Sequence, residues 1–383
     1  MRKAVSKLYE GTYEEEVIVR LAREFHAEMG TTTACAFVFM TVDYLPYLTD
    51  FTELLRVHGH IVEVAGCTAA GISGGGEGQE SGPGFSILGL SFDDSKTHFV
   101  ELSQQQVSDY TGVGFWQKEV NVRDSRGWVV LLNSIALDAE KWIMQWDAAF
   151  PGVPCVGGLA SSSTGEEDFA VFHNDRQVQG LAIGFTGAME ITPILSQGCR
   201  PIGDPLPVTR AEANVIFSLG SRPAYEALES AFNSLEESEK AEAKGNLLAG
   251  LAATEYVEEF KSSDFIVKNI LGADPKSGAV AIGGIPRLGQ TLQYQFRSRE
   301  AADLELRQTL QGAHAGQKPL ASLLFSCNGR GSHFFGKPHH DASVLTEVFG
   351  NHASAGFLCN GEIGTSGGKN GIHGYTASVA FFL

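Results

Sequence analysis

The segments LLFSCNGRG (323–331) and AGFLCNGEIG (355–364) decide the fold, because each runs from apolar residues into a polar, glycine-rich tip. The segment between them, DASVLTEVFG (341–350), has the apolar spacing of a helix that stops at its glycine. Strand, helix and strand in this order form a βαβ unit, which brings the C-terminal ends of neighbouring strands to one edge of a sheet. We therefore expect the two tips to face each other at a ligand-binding edge.

The same order of elements occurs twice more along the chain. Apolar strands begin near residues 34 and 127, helices follow them, and glycine-rich tips stand at 66–71 and 157–162 in the place that 356–361 takes. An internal repeat is stronger evidence of architecture than a single motif. It predicts an α/β fold of the mixed α+β type, in which repeated β-α-β units form mixed sheets with outer helices.

The length of 383 residues favours two domains over one ordinary core. The clearest compositional break is the charged, alanine-rich segment ESEKAEAK (237–244). Domain boundaries commonly fall in exposed polar segments of this kind. We therefore expect an N-terminal domain at residues 1–235 and a C-terminal domain at residues 245–383.

Charge and cysteine content restrict the partners and the compartment. The chain carries 28 basic and 45 acidic residues, for a net charge of −17. Such a surface repels phosphate backbones and anionic lipids, so we expect neither nucleic-acid binding nor membrane insertion. The six cysteines contain no CxxC pair, and the N-terminus has no apolar signal-peptide core. These features indicate reduced thiols in a cytoplasmic protein.

Five motifs resemble the FIST domain family. They are GCTAAG (66–71) and TRAEANV (209–215) for its N-terminal domain, and SCNGRG (326–331), GFLCNGEIG (356–364) and HGYTA (373–377) for its C-terminal domain. The resemblance extends over residues 14–383. One departure is Ile72, which stands where the family usually has glutamate, whereas Glu362 keeps the glutamate at the third tip.

The resemblance implies a small-ligand-binding sensory module of the kind found in bacterial signalling proteins and in an F-box protein of animals. Amino acids are the suggested ligands of that family. Some bacterial members are nitric-oxide-sensing haem proteins that regulate a separately encoded histidine kinase. The resemblance therefore also implies a haem-based alternative.

The tips supply the candidate ligand-binding residues. An arginine matches a carboxylate and a glutamate matches an ammonium group, so Arg330 and Glu362 could clamp the two ends of an amino acid. The alternative is an ion pair between these two side chains that locks the tips together. Both interpretations place Arg330 and Glu362 at the mouth of a cleft. The full candidate set is Cys67, Thr68, Cys327, Asn328, Arg330, Cys359, Asn360 and Glu362.

Three other chemistries compete with simple ligand binding. Cys327 or Cys359 could act as a nucleophile with a neighbouring histidine as base, although neither thiol has a catalytic sequence signature. No set of histidines has zinc spacing, so we expect no metal site. A single axial histidine for haem needs no motif, and His339 and His340 stand next to a predicted helix start.

These observations together predict a stand-alone small-ligand-binding sensory protein rather than an enzyme. We expect a small polar ligand, with an amino acid as the first candidate, and no cofactor unless haem binds. No kinase, cyclase or DNA-binding segment is recognised, so we expect output in trans to a signalling partner, with a histidine kinase as one candidate. A haem-binding nitric-oxide sensor, a cysteine-dependent enzyme and a scaffold without ligand remain the alternatives.

Overall fold

The computed structural model describes residues 2–122, 124–164, 168–261, 264–314 and 318–383. The first thirteen strands are β1 (Lys3–Glu10), β2 (Thr33–Met40), β3 (Ile61–Thr68), β4 (Ile72–Gly74), β5 (Glu77–Gln79), β6 (Gly84–Ser91), β7 (Ser95–Leu102), β8 (Trp128–Leu132), β9 (Cys155–Leu159), β10 (Val171–His173), β11 (Arg176–Val178), β12 (Gly180–Gly187) and β13 (Ile191–Ser196). The other strands are β14 (Cys199–Pro201), β15 (Leu206–Glu212), β16 (Val215–Leu219), β17 (Arg222–Pro223), β18 (Leu247–Ala252), β19 (Phe265–Asp274), β20 (Ala279–Ile282), β21 (Thr291–Arg297), β22 (Ala321–Cys327), β23 (Ala353–Cys359), β24 (Glu362–Ser366), β25 (Lys369–His373) and β26 (Ala377–Phe382).

Helices cover the outer faces of these sheets, as the mixed α+β prediction requires. The α-helices are α1 (Glu15–Met29), α2 (Leu48–Gly59), α3 (Gln104–Asp109), α4 (Gly114–Val120), α5 (Ala139–Ala149), α6 (Ala224–Asn233), α7 (Glu237–Ala243), α8 (Arg299–His314), α9 (Ser332–Phe335) and α10 (His340–Phe349). Short 3-10 helices lie at Val42–Tyr47 and Asn328–Arg330. Among the described helices, none combines the length and the apolar character needed to cross a lipid bilayer.

The chain forms two compact units that do not follow its order from end to end. Unit 1 comprises Met1–Leu195, Arg307–Ile372 and Ala377–Leu383. Unit 2 comprises Ser196–Leu306 and His373–Thr376. The charged segment of the sequence forms helix α7 within unit 2. The division of the sequence into domains at 1–235 and 245–383 stays a prediction.

Unit 1 consists of three six-stranded sheets with one strand order. The first sheet is β1-β6-β2-β3-β10-β11, the second is β7-β12-β8-β9-β24-β25 and the third is β13-β26-β22-β23-β4-β5. The third and fourth strands of each sheet are parallel and joined by a helix, α2, α5 or α10. The three βαβ units inferred from the glycine tips are therefore confirmed, and each forms the centre of one sheet.

Each βαβ unit gives its following hairpin to a neighbouring sheet. The hairpin β4-β5 follows β3 in the chain but pairs with β23 of the third sheet. In the same way β10-β11 follows β9 and pairs with β3, and β24 follows β23 and pairs with β9. Each glycine tip is the short link that carries the chain across to the next sheet. The exchange is cyclic, and it ties the three repeats into one unit.

The chain ends meet where two of the repeats would otherwise be linked. The connections β6 to β7 and β12 to β13 each lead from one sheet to the next. The equivalent connection from β26 to β1 is interrupted by the termini, and Arg2 Nη1 donates a hydrogen bond to the Leu383 carbonyl at 2.6 Å. In the sequence, the segment Ser196–Leu306 of unit 2 is inserted between β13 and β22 of the third repeat.

One buried core is shared by the three sheets of unit 1. Each repeat contributes alternate residues of a parallel strand to this core. They are Phe37 and Phe39 of β2, Val129 and Leu131 of β8, and Leu323 and Phe325 of β22. The residues between them face the other way, as Trp128, Val130 and Leu132 pack against helix α5. This alternation explains why the strands are apolar throughout, because both of their faces are buried.

Unit 2 is built on antiparallel pairing instead. Its strands pair in the order β21-β15-β16-β20-β19-β18, and β18 pairs back with β21 to close the ring. Helix α6 contributes Ala224, Ala227, Leu228 and Ala231 to the core of this ring. The βαβ repeats and all of the predicted site residues lie in unit 1.

Candidate functional site

The three glycine tips converge at one place in unit 1. The Ala70 N–H donates to Ser161 Oγ at 2.9 Å, and that hydroxyl donates to the Leu358 carbonyl. The Leu358 N–H in turn donates to the Gly71 carbonyl at 2.9 Å. Each tip is thus hydrogen-bonded to both of the others. The expectation that the tips face one another holds for the three tips, not only for the two C-terminal ones.

Strand register defines which residues of the three tips are equivalent. Gly66, Gly157 and Gly356 each lie opposite the second residue of an exchanged hairpin. Counting from these glycines, the equivalent positions are Ala69, Ala160 and Cys359 on the tips, and Thr41, Asn133 and Cys327 at the end of the adjacent strand. The first hairpin residues are Ile72, Val171 and Glu362. The three tips therefore share a backbone plan but differ in chemistry.

The hairpin after the third tip begins with a polar side chain, where the hairpins after the other two tips begin with apolar ones. Glu362 is fully buried and takes the place of Ile72 and Val171. It lies opposite Gly158, which has no side chain to cover it. A buried carboxylate costs free energy that an aliphatic side chain does not, and of the three equivalent hairpins the third alone begins with one. The third tip is therefore the candidate functional site.

Arg330 is held inside the third repeat by a carboxylate on helix α10. Its Nε and Nη2 donate to the two oxygens of Asp341 at 2.7 and 3.0 Å. The same carboxylate accepts a hydrogen bond from Ser326 Oγ at 2.9 Å and contacts His340 Nδ1 at 2.9 Å. Arg330 and Asp341 are 3% and 4% exposed, so the pair is shielded from solvent. The 3-10 turn Asn328–Arg330 is consequently fastened to the helix behind it.

The charge of Asp341 is maintained by this network. Burial raises the pKa of the Asp341 carboxyl, but the Arg330 guanidinium and the hydrogen bond from His340 outweigh burial and hold that pKa well below its usual range. The His340 ring also stacks on Phe335, with ring centroids 3.5 Å apart. Arg330 and Asp341 therefore form an ionised, bidentate pair at neutral pH.

A small cavity of about 30 Å³ adjoins this network. Its lining includes Ser73, Glu80, Arg330, His339 and Asp341. Glu80 accepts hydrogen bonds from the backbone N–H groups of Ser332 at 2.8 Å and His339 at 3.3 Å. The cavity has room for about two water molecules. It is therefore too small to be a ligand pocket in this conformation.

The outer end of the third tip is formed by two asparagines. Asn328 Nδ2 donates to Asn360 Oδ1 at 2.6 Å and so bridges the ends of β22 and β23. Asn328 Oδ1 is buried and has no hydrogen-bond partner. A buried acceptor without a donor is a costly feature, which a bound ligand with an N–H group would relieve.

The remaining candidate residues lie beneath the tips. Cys67 and Cys359 are buried, whereas Cys327 is half-buried. Thr68 Oγ1 accepts a hydrogen bond from the Ala170 N–H at 2.9 Å, so its hydroxyl holds the first tip to the second hairpin. Burial raises the pKa values of the Cys67 and Cys359 thiols well above the usual range, so neither is a ready thiolate.

Comparison with known proteins agrees with this architecture. A model of the FIST N domain matches residues 34–222, and a model of the FIST C domain matches residues 224–365. The chain belongs to the FIST family. These two matches confirm the resemblance seen in the motifs. FIST domains are associated with small-ligand-binding sensory signalling.

Mycobacterial proteins are among the relatives. An uncharacterised protein of Mycobacterium tuberculosis strain H37Rv is 31% identical over 360 residues, which is 92% of each chain. An uncharacterised protein of Mycobacterium bovis is 37% identical over 236 residues, which is 61% of each chain. Each is similar to this FIST protein over most of its length.

The structure corrects the expected place of Arg330 and Glu362. The expectation that both lie at the mouth of a cleft is wrong, because they are 3% and 0% exposed. The carboxylate that binds Arg330 is Asp341, which the sequence analysis did not single out. Asp341 stands in the first turn of a helix, where an acidic residue is ordinary, so only its spacing of eleven residues from Arg330 could have suggested the pair.

The surroundings of His339 and His340 are too small and too closely packed for a haem. His339 and His340 adjoin the cavity of about 30 Å³, whereas cofactor pockets occupy roughly 300–1,000 Å³. The His340 ring is moreover engaged by Asp341 and Phe335. The residues at this place do not fit a haem. Within the described part of the chain, no group of three or more histidine, cysteine or acidic side chains could hold a metal ion.

Proposed function

We propose that this FIST protein is a sensory protein that binds a small polar ligand at its third tip. The observation that carries the proposal is the contrast among three equivalent tips, of which the third alone places a buried carboxylate, Glu362, at its hairpin start. Since the first two hairpins begin with the apolar residues Ile72 and Val171, a ligand is the best explanation for the carboxylate at the start of the third.

The chemistry of the tip favours a ligand with an ammonium group. Asn328 Oδ1 is a buried acceptor without a donor, and Glu362 supplies a carboxylate two residues beyond Asn360. Both groups match a positively charged N–H donor. An amino acid is therefore the first class to test, with Cys327, Asn328, Cys359, Asn360 and Glu362 as the contacting residues.

In this proposal Arg330 has a structural role, and it does not bind the carboxylate of the ligand in the way that the sequence suggested. Its guanidinium is already engaged by both oxygens of Asp341, so we assign it to holding the turn Asn328–Arg330 in place. Thr68 holds the first tip to the second hairpin, and Cys67 lies near the Cys359 thiol of the third tip. A ligand can shift the turn Asn328–Arg330 between two positions only if it binds one position of the turn more tightly than the other. Output would pass in trans to a signalling partner, with a histidine kinase as one candidate.

Thermal melting against a panel of amino acids tests the proposal. The four tryptophans all lie in the second repeat of unit 1, so their fluorescence reports the unfolding of this unit. A ligand at 100 times its dissociation constant should add about 2.7 kcal/mol to the free energy of unfolding. The matched N-acetylated amino acid lacks the ammonium group and should give no shift.

Two variants locate the site. Asn328→Ala should abolish the ligand-induced shift, whereas Asn351→Ala, at an exposed asparagine after helix α10, should leave it unchanged. A shift that survives in the Asn328 variant would place the ligand elsewhere. The absence of a shift with every amino acid, together with a new visible absorption band when haemin is added, would favour the haem sensor instead.

A further inference from the structure

The third tip brings two cysteines onto adjacent strands in the same register. Cys327 ends β22 and Cys359 ends β23, and the two residues are direct partners in the parallel pairing. Paired residues of neighbouring strands project to the same face of a sheet, and the preceding pair Phe325 and Phe357 indeed meet in the shared core. Neighbouring strands are about 4.8 Å apart, within the range of Cα separations of about 4.4–6.8 Å that a disulfide spans.

The fold itself does not require these thiols. The equivalent pairs in the other two repeats are Thr41 with Ala69, and Asn133 with Ala160. Both build the same junction without sulfur, and the N–H groups of Ala69 and Ala160 make equivalent hydrogen bonds to the adjacent strand at 2.8 Å. A pair of cysteines confined to one of three equivalent junctions therefore points to chemistry rather than to packing.

The surroundings give the two thiols different parts. Cys327 is half-buried, and its Sγ accepts a hydrogen bond from the Gly329 N–H at 3.4 Å. Cys359 is fully buried and packs on the bare backbone of Gly158, where a Cβ atom would overlap its Sγ. An oxidant would therefore meet Cys327 first, and Cys359 would react from the interior.

We propose that Cys327 and Cys359 form a reversible disulfide in response to hydroperoxides, so that the third tip is a thiol redox site. The sulfur of Cys327 attacks the outer peroxide oxygen, the O–O bond breaks, and an alcohol or water leaves with the thiol proton. The sulfur of Cys359 then attacks the resulting sulfenic acid, the S–S bond forms, the S–O bond breaks, and water leaves. Two thiols are oxidised, the hydroperoxide is reduced, and a dithiol reductant reverses the change.

Thiol counting and peptide mass spectrometry on the full chain test this proposal. Treatment of the native protein with hydrogen peroxide, followed by denaturation and thiol labelling, should reduce the labelled thiols from six to four. Trypsin cuts after Arg330, between the two cysteines, so the disulfide should appear as two cross-linked peptides. Dithiothreitol should restore all six labels.

The cysteine variants replace each thiol with the residue found at the equivalent position of the first repeat. Cys359→Ala and Cys327→Thr copy Ala69 and Thr41, so both proteins should fold, and tryptophan fluorescence melting checks that they do. Each should lose peroxide-dependent disulfide formation. Cys155→Ser, at a buried thiol packed on the outer side of the second sheet, should still lose two labels.

Three results would overturn the proposal. One is a disulfide between Cys67 and Cys359, since Cys67 also lies close to the Cys359 thiol. The second is over-oxidation of Cys327 to the sulfinic acid while Cys359 stays reduced. The third is a labelled thiol count that peroxide does not change at all. Because this test uses no amino acid, its outcome is independent of the ligand-binding proposal.

Discussion

Replacing Asp341 with asparagine should destabilise unit 1 strongly. The substitution keeps the shape of the side chain but removes the charge that faces Arg330 at 2.7 and 3.0 Å. It also weakens the hydrogen bonds from Ser326 and His340 to that side chain. Because Arg330 is 3% exposed, its charge would remain buried without a counter-charge. Breaking a buried pair in this way costs about 3–5 kcal/mol.

Urea unfolding followed by tryptophan fluorescence at pH 7 measures this loss directly. The matched control is Glu347→Gln, which breaks the Arg307–Glu347 pair at 2.6 Å. That pair is exposed, with side chains 30% and 52% accessible, so its loss should cost less than about 1 kcal/mol. The double variant Arg330→Met with Asp341→Leu removes both charges and should be more stable than Asp341→Asn alone. A loss below about 1 kcal/mol for Asp341→Asn would refute the reasoning.

Three further predictions concern the same network and the tips. The pKa of Asp341 is depressed in the folded state, so its ionised carboxylate contributes fully to the free energy of unfolding at a pH above the unfolded pKa of about 3.9. This contribution is lost as the pH falls toward the folded pKa. Lowering the pH below about 4 should therefore destabilise the wild type more steeply than Asp341→Asn. Gly158→Ala should lower the free energy of unfolding by about 1–3 kcal/mol, because the new Cβ overlaps Cys359 Sγ. Most of this loss should disappear when Gly158→Ala is combined with Cys359→Ala. Equal losses in the wild type and in the Cys359→Ala protein would contradict this contact. Gly157→Ala places its Cβ on the Val130 carbonyl oxygen, which is backbone and cannot move aside, so Cys359→Ala should not rescue it in the same melts.

Local patterns were sufficient to predict the repeated units. The buried strand Trp128–Leu132, the helix Ala139–Ala149 and the tip that follows are readable because apolar periodicity and glycine stops act over neighbouring residues. The structure places the glycine-rich residues 74–78 in the hairpin β4-β5, which the sequence alone left unassigned. Its partner β23 was not predictable, because the pairing joins residues about 280 positions apart and no periodicity encodes it.

The candidate site divides in the same way. The tips and their polar residues were found from sequence, since asparagine, arginine and glutamate are conspicuous after apolar strands. The partner of Arg330 was not found, because Asp341 resembles an ordinary acidic residue at a helix start. The importance of Glu362 also became clear only when register matched it to Ile72 and Val171. Pairing across the exchanged hairpins, rather than composition, distinguishes the third tip.

Hydrogen–deuterium exchange at the three tips most directly tests the claim that one of three equivalent tips is the ligand site. The protein would be compared with and without the amino acid that gives the largest melting shift. We expect new protection in peptides containing residues 326–331 and 356–364, and little change at 66–71 or 157–162. Protection confined to unit 2, or equal protection at all three tips, would contradict the account.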